Sequence, residues 1–554
     1  MQIIIPMSGF GERFRKAGYA VPKPLIEIDG KPIIGHVIEM FPGETDFIFI
    51  CNEDHLTEPS YRMREILNHY CPSGRVVGIP AHKLGPVHAV TLAREWVKED
   101  SPVVVNYCDF TCYWDWSHFK QWVQELGCAG AVPAYRGFHP HTLGTTNYAY
   151  MRESDGWMLD IQEKQPYTEN RMEEYASSGS YYFSSGKLML EAFEETVARD
   201  LSVNGEYYVS LAYKPLLGRK LTVAVYDLQH FMQWGTPADV SEYLGWSSTF
   251  RSLIGPLPNK PLGGAIVVPM AGLGQRFARE GYTLTKPLIP VSGKPMVLQA
   301  ADDLPHAERY AFVLRTDMPG FETVAETLQA SYTNTLIKTV DRVTEGQACT
   351  ALLGLDALEA QAGPQTGPVT FGACDYGSLY DASQLQTLFK EGADVVVWAI
   401  RGHAHAVRNP QMYGWIKTDG DDITGISVKM ALESPATDPV VLGTFSFKDG
   451  ATFRRCVEHM MARDARVNGE FYLDTCINDA LELGLTCKLF EVEHFMSWGT
   501  PDDLRTFEYW QSCFHKWDGH PYRLALDGHV PADQVAALEQ RYAKTVPGLL
   551  ERQS

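Results

Sequence analysis

Apolar positions in the first half of the chain fall into short continuous runs separated by amphipathic stretches. Ile3, Ile4 and Ile5 form one run, and 46–51 and 103–107 form others, each of strand length. The stretch 88–96 spaces its apolar residues as a helix does. Strands alternating with helices predict an α/β fold, a mainly parallel sheet with helices on both faces. Ligands of such sheets gather at the carboxyl ends of the strands. The residues that follow each apolar run are therefore the ones to read for chemistry.

The first of these junctions occurs twice. Residues 6–32 and 269–295 share, without a gap, the string P-M-x-G-x-G-x-R-F, a Gly-Tyr pair, K-P-L-I and G-K-P. A repeat of this length sets two domains, expected at 1–252 and 264–515, each long enough for its own core. Between them 253–263, with Pro256, Pro258 and Pro261, reads as a linker. From 516 to 554 nothing matches the first half; 532–543 carries an amphipathic helical pattern, a dimerisation element or a cap, which leaves a homo-oligomer open.

Composition narrows the partners. Lysine and arginine number 48 against 68 aspartates and glutamates, a formal net charge of −20. That balance argues against nucleic acid and anionic membranes, so cationic groups that matter must be local to sites for small anions. No apolar run approaches membrane-spanning length. Eleven cysteines without regular spacing, and a first segment that enters a strand at once, give the expectation of a reducing cytoplasm. Cys108 and Cys112 lack zinc-site spacing and read as buried thiols.

At the repeated junction, Gly9 and Gly11 follow the apolar strand and expose bare backbone N–H groups, which can cradle phosphates. Arg13 and Lys23 add a guanidinium and an ammonium, the positive field a triphosphate needs when a second anion must approach it. Their counterparts are Gly272, Gly274, Arg276 and Lys286. A dinucleotide loop would need glycine at Phe14 and Phe277, and a P-loop would need Gly-Lys-Ser/Thr, which is absent. A second matched pair is Cys108-Asp109-Phe110 and Cys374-Asp375-Tyr376, each after an apolar strand. Asp109 and Asp375 are well placed to hold a magnesium ion over the sheet edge. Asp115 and Asp381 read as helix N-caps.

The paired loops resemble the sugar-phosphate nucleotidylyltransferase (pyrophosphorylase) family, whose signature is G-x-G-x-R followed by K-P. The resemblance implies two tandem Rossmann-like, GT-A-like domains with mainly parallel mixed sheets. It implies Mg2+-dependent transfer of a nucleoside monophosphate from a triphosphate to a phosphorylated small-molecule acceptor, a sugar 1-phosphate first of all, in making precursors of surface polysaccharide. Arg13, Lys23, Arg276 and Lys286 would be catalytic, and Asp109 and Asp375 would ligate the metal. Ser8, Gly9, Gly11, Gly85, Ala271, Gly272, Gly274, Gly346 and Gln347 would hold the nucleotide. Glu163, Lys164, Gly179, Lys429 and Gly443 would hold the acceptor.

Departures from the family pattern are specific. Pro86 and Val87 stand where the second half has Gln347 and Ala348, so the two base sites need not agree. Val428 replaces Glu163, which suggests a different acceptor or a weaker site. Gln233 and Ser497 stand where family members place a second metal-binding aspartate, leaving water, nucleotide, or His230 and His494 against a core-histidine reading. A cytidylyltransferase for a non-sugar phosphate remains open, as does one catalytic half beside a nucleotide-sensing or scaffold half. A glycosyltransferase is disfavoured because Asp-x-Asp is missing at the metal position.

Overall fold

The computed structural model describes residues 1–145, 147–258 and 260–543. Contacts divide the described residues into two units: Met1–Ser248 with Ser512–His520 and 541–543, and Thr249–Gln511 with Pro521–Gln540. The fold is α/β in both.

In the first unit Gln2–Met7 lies between Phe47–Asn52 and Val103–Asn106, parallel to both, and Arg75–Ile79 extends the parallel edge. These strands read as continuous apolar runs because both faces are covered; Ile3, Ile4 and Ile5 are fully buried. Beyond Val103–Asn106 the sheet turns mixed. Ser180–Phe183 runs antiparallel, Gly130–Tyr135 and Val223–Asp227 pair in parallel, and Ala149–Ser154 with Trp157–Glu163 closes as an antiparallel pair. The expected strands appear within a residue of their positions. The expected helix 88–96 is Pro86–Leu92 followed by a short 3-10 turn, Arg94–Trp96.

The second unit repeats this order. Ala265–Met270 lies between Arg309–Arg315 and Val369–Phe371, Thr335–Val340 forms the parallel edge, and Gly414–Asp419 with Asp422–Val428 is the antiparallel pair. In each unit a separate two-stranded ribbon crosses the carboxyl ends: Phe110–Tyr113 with His230–Gln233, and Tyr376–Leu379 with His494–Ser497.

The stretches read as linker and tail are built into these units. Lys260, from the expected linker, and His529, from the expected tail, both reach Asp303 inside the second unit, at 3.3 and 2.7 Å. All three are almost fully buried. Burial opposes the charge on His529, yet Asp303 raises its pKa to about 9, so the imidazolium is retained at neutrality. In the first unit Ser512 and His520 bond His230 and Ser247, at 3.0 and 3.2 Å. The amphipathic stretch near the end forms the helix Val535–Tyr542.

Candidate functional site

The carboxyl end of Gln2–Met7 opens into the loop Ser8–Gly11. Gly11 takes φ +61° as it caps the short helix Glu12–Lys16, and Gly274 takes the same angle before Gln275–Arg279. That left-handed conformation suits glycine and turns the loop amides outward. A cleft of about 390 Å3 lies over the loop, and its walls include Ser8, Gly9, Gly11, Lys23, Gly85 and Asp109. Six residues singled out in separate parts of the sequence thus share one cavity. Arg13 and Arg276 are not in its wall; both are exposed on the helix that follows the loop. Their charges still reach inward, Arg13 acting on Lys23 and Arg276 on Lys286.

Lys23 and Asp109 form an ion pair at 2.8 Å, and Lys286 and Asp375 repeat it at 2.5 Å. Burial works against the Lys23 ammonium, but Asp109 and Cys108 outweigh it and raise its pKa, and Asp375 does the same for Lys286. The two-stranded ribbon places Asp109 beside the Trp-Gly-Thr-Pro turn, where Trp234 N–H donates to the Asp109 carbonyl at 2.8 Å. A Cβ on Gly235 would stand 3.4 Å from Asp109 Oδ2, so glycine keeps that carboxylate approachable. Gln233, in the second aspartate's place, donates from Nε2 to Asp239 at 2.7 Å, while its buried Oε1 has no partner among the described residues. Asp239 also accepts from Thr236, at 2.6 Å, and burial together with Asp109 pushes its carboxyl upward. Asp109, the orphaned Gln233 Oε1 and Asp239 are all oxygen donors, the ligand type a hard cation such as magnesium takes. His230 is not part of it; its bond to Ser512 makes it a core histidine, and His494 bonds Thr249 and Ser252 in the same way. Asp115 and Asp381 are N-caps, each accepting a backbone N–H at 2.9 Å.

Gly85 and the Asn-Gly-Glu-Tyr-Tyr segment are one construction. Gly85 takes φ +88°, and a Cβ there would lie 2.7 Å from the Tyr207 backbone. Val87 N–H donates to Tyr207 O at 3.1 Å, and Tyr207 N–H to Leu84 O at 2.9 Å. Gly346 repeats this at φ +134°, 2.5 Å from Phe471. Gln347 opens the helix Gln347–Ala362 directly after it.

On the acceptor side, Lys164 and Lys429 both adopt the left-handed conformation, at φ +61° and +56°. For a long side chain this is rare and costs energy, and it recurs at matched positions. Lys164 Nζ donates to Tyr208 OH at 2.5 Å, and Lys429 lies over the Tyr472 ring at 5.3 Å. Glu163 accepts from Ser210 Oγ at 2.6 Å; burial drives its pKa up to about 7, against the pull of Ser210 and Lys164. Gly179 takes φ +103°, where a Cβ would press on the Phe110 ring at 2.9 Å, and Gly443 takes φ +100° near Tyr376.

Residues 3–165 match the MobA-like NTP transferase domain. The match stops just past Glu163 and Lys164. Mannose-1-phosphate guanyltransferase beta-B of Xenopus laevis is 25% identical over 251 residues, 43% of this chain and 62% of that protein. The mannose-1-phosphate guanyltransferase of Schizosaccharomyces pombe is 23% identical over 295 residues, 50% of this chain and 73% of that protein. The chain thus spans about three fifths of the length of the first curated relatives it matches. A nucleoside-diphosphate-sugar pyrophosphorylase of Vibrio cholerae RC9 aligns in structure with 44% of this chain and 99% of its own, at 22% identity and a TM-score of 0.36. The resemblance read from the paired loops holds.

The sequence reading missed Asp239, whose signal was available: Gly-Thr-Pro-x-Asp stands in both halves, with Asp503 in the second. It also missed that Gly85 owes its identity to Tyr207, because a close backbone approach between segments so far apart leaves no local pattern. Among the described residues no helix is long and apolar enough to cross a membrane.

Proposed function

We propose that the protein is a tandem nucleotidylyltransferase, with domains at 1–252 and 264–515, in which each half transfers a nucleoside monophosphate to a phosphorylated acceptor and releases pyrophosphate. The observation that carries this reading is the cleft over the Ser8–Gly11 loop, which collects bare amides, Lys23 and Asp109 at a strand end. An acceptor phosphate oxygen attacks the α-phosphorus in line, a P–O bond forms, and the bond to the β-phosphate oxygen breaks, the electron pair leaving with pyrophosphate. The loop amides hold the β- and γ-phosphates, and Arg13, exposed at the mouth, adds charge as pyrophosphate separates. Lys23, kept protonated by Asp109, meets the charge that develops at the α-phosphorus. Lys164, fixed by its left-handed backbone, holds the acceptor phosphate, and Gly179 lets the acceptor close on the sheet. Asp109, with Gln233 and Asp239, would hold Mg2+, which lessens repulsion between the two anionic reactants. No side chain acts as base, because the nucleophile is already an anion.

Two observations support a sugar 1-phosphate as acceptor: relatives are guanyltransferases of mannose 1-phosphate, and Glu163 beside Lys164 offers a hydroxyl acceptor next to a phosphate donor. The product fits a cytoplasmic supply of activated sugars for surface polysaccharide. Retention of the Lys286–Asp375 pair supports activity in the second half as well. The test is pyrophosphate release by the full-length protein with GTP and α-D-mannose 1-phosphate first, then the other triphosphates and hexose 1-phosphates. Asp109→Asn should lower one activity by about 10²-fold or more and Asp375→Asn the other. A change below about threefold in both would defeat the reading.

A further inference from the structure

Val428 stands where the first half has Glu163, and on that evidence the second half lacks a carboxylate on its acceptor wall. The structure shows two compensating changes around it. Ala149 pairs across the strands with Glu163, and at the matched place Gly414 pairs with Val428. Ser210, which donates to Glu163, is matched by Asp474 in the first turn of Leu473–Glu482. Asp474 lies over the backbone of Gly414, and a Cβ there would collide with its Oδ2. The carboxylate of the second half therefore occupies space over the strand pair that carried Glu163 in the first.

The electrostatics agree. Glu163 is stabilised as an anion by Lys164 and acts on Tyr208; Asp474 is stabilised by Lys429 and acts on Tyr472. Both carboxyls are half-buried and raised by burial, to about 7 and about 6. Each unit thus sets one carboxyl against the same lysine and tyrosine, but from a different element.

We propose that Asp474 replaces Glu163 as the carboxylate that receives the acceptor's hydroxyls in the second half, so that the two halves grip a phosphorylated polyol from different sides of one gap. Ser210 occupies one oxygen of Glu163, whereas no side chain donates to Asp474 among the described residues, which leaves its oxygens to the acceptor. Val428 presents a methyl-bearing surface where the first half presents a carboxylate. The second half accordingly selects an acceptor whose hydroxyls face the helix and whose carbon face lies on Val428. This assignment rests on the nucleotidylyltransferase reading above.

The experiment uses the full-length protein with Asp109→Asn in place, so that turnover comes from the second half. The probes are α-D-mannose, α-D-glucose and N-acetyl-α-D-glucosamine 1-phosphates, with Mg2+ and each of the four common nucleoside triphosphates. Asp474→Asn should raise the acceptor KM by tenfold or more and leave the triphosphate KM within twofold. Asp474→Ser should behave likewise, and adding Gly414→Ala with Val428→Glu should restore acceptor binding and move the preference among the three probes toward that of the first half. An unchanged acceptor KM in Asp474→Asn, or an equal rise in triphosphate KM, would overturn the assignment alone. Loss of all second-half turnover in the parent protein, with triphosphate still raising the melting temperature, would overturn the catalytic reading of that half and this assignment with it.

Discussion

Glu163 is a carboxyl of the site whose ionisation the fold resists. Its pKa rises from 4.5 to about 7 because burial disfavours the charged form. A carboxyl raised in the folded state gives stability below pH 4.5 that is lost as the pH rises through 7. Glu163→Gln should therefore match the wild type near pH 4 and exceed it at pH 8, by roughly 2 kcal/mol in chemical denaturation. A variant less stable at pH 8 than at pH 4, relative to wild type, would contradict the assigned cause. Lys23 and Asp109 were legible as separate functional residues because each follows a strand and each recurs. Their direct bond was not legible, since 86 residues separate them and it is the parallel pairing of Gln2–Met7 with Val103–Asn106 that brings the following loops to one sheet edge.

At the scale of elements, glycine spacing in the sequence marked where the chain turns, but not what it turns against. Gly9 and Gly11 announced a loop; Gly85 and Gly346 read as nucleotide-binding glycines opening a helix, and nothing in the sequence showed that each is held by a backbone passing within 2.7 Å of where a Cβ would lie. Gly85→Ala and Gly346→Ala should each cost about 1–3 kcal/mol in their own unit through a positive φ and a backbone clash. Triphosphate protection in thermal melts should fall with them, since the loop ahead of the helix must shift. Survival of both melting temperature and protection would refute the close-packed construction. Lys164 and Lys429 make the complementary point: E-K in the first half was visible and its V-K counterpart reads as a site for a different acceptor or a weaker one, but both lysines keep the same left-handed backbone. Conformation persisted where the neighbouring side chain changed, and one-dimensional patterns record only the side chain.

For the whole molecule the duplication was plain in the sequence, whereas the membership of the last residues was not. Ser512–His520 joins the first unit and Pro521–Gln540 the second. A fragment ending at residue 252 would leave His230 and Ser247 without Ser512 and His520, and is expected to melt lower than the first unit in the intact chain. Equal melting would show that those contacts contribute nothing. In the second unit His529, raised to about 9, supplies stability that is complete below pH 6.5 and lost as the pH rises through 9. His529→Gln should cost about 3 kcal/mol at pH 7, the scale of a broken buried pair, and much less at pH 10. The exchange of Glu163, Ser210 and Ala149 for Val428, Asp474 and Gly414 also carries a record of descent. An alanine Cβ at 414 would press on Asp474 Oδ2, so the carboxylate keeps its observed position without shifting only over glycine. Ser210→Asp placed alone in the first half sets a second carboxylate against Glu163, and should be tolerated better with Ala149→Gly and Glu163→Val beside it, which rebuilds in one half the arrangement of the other.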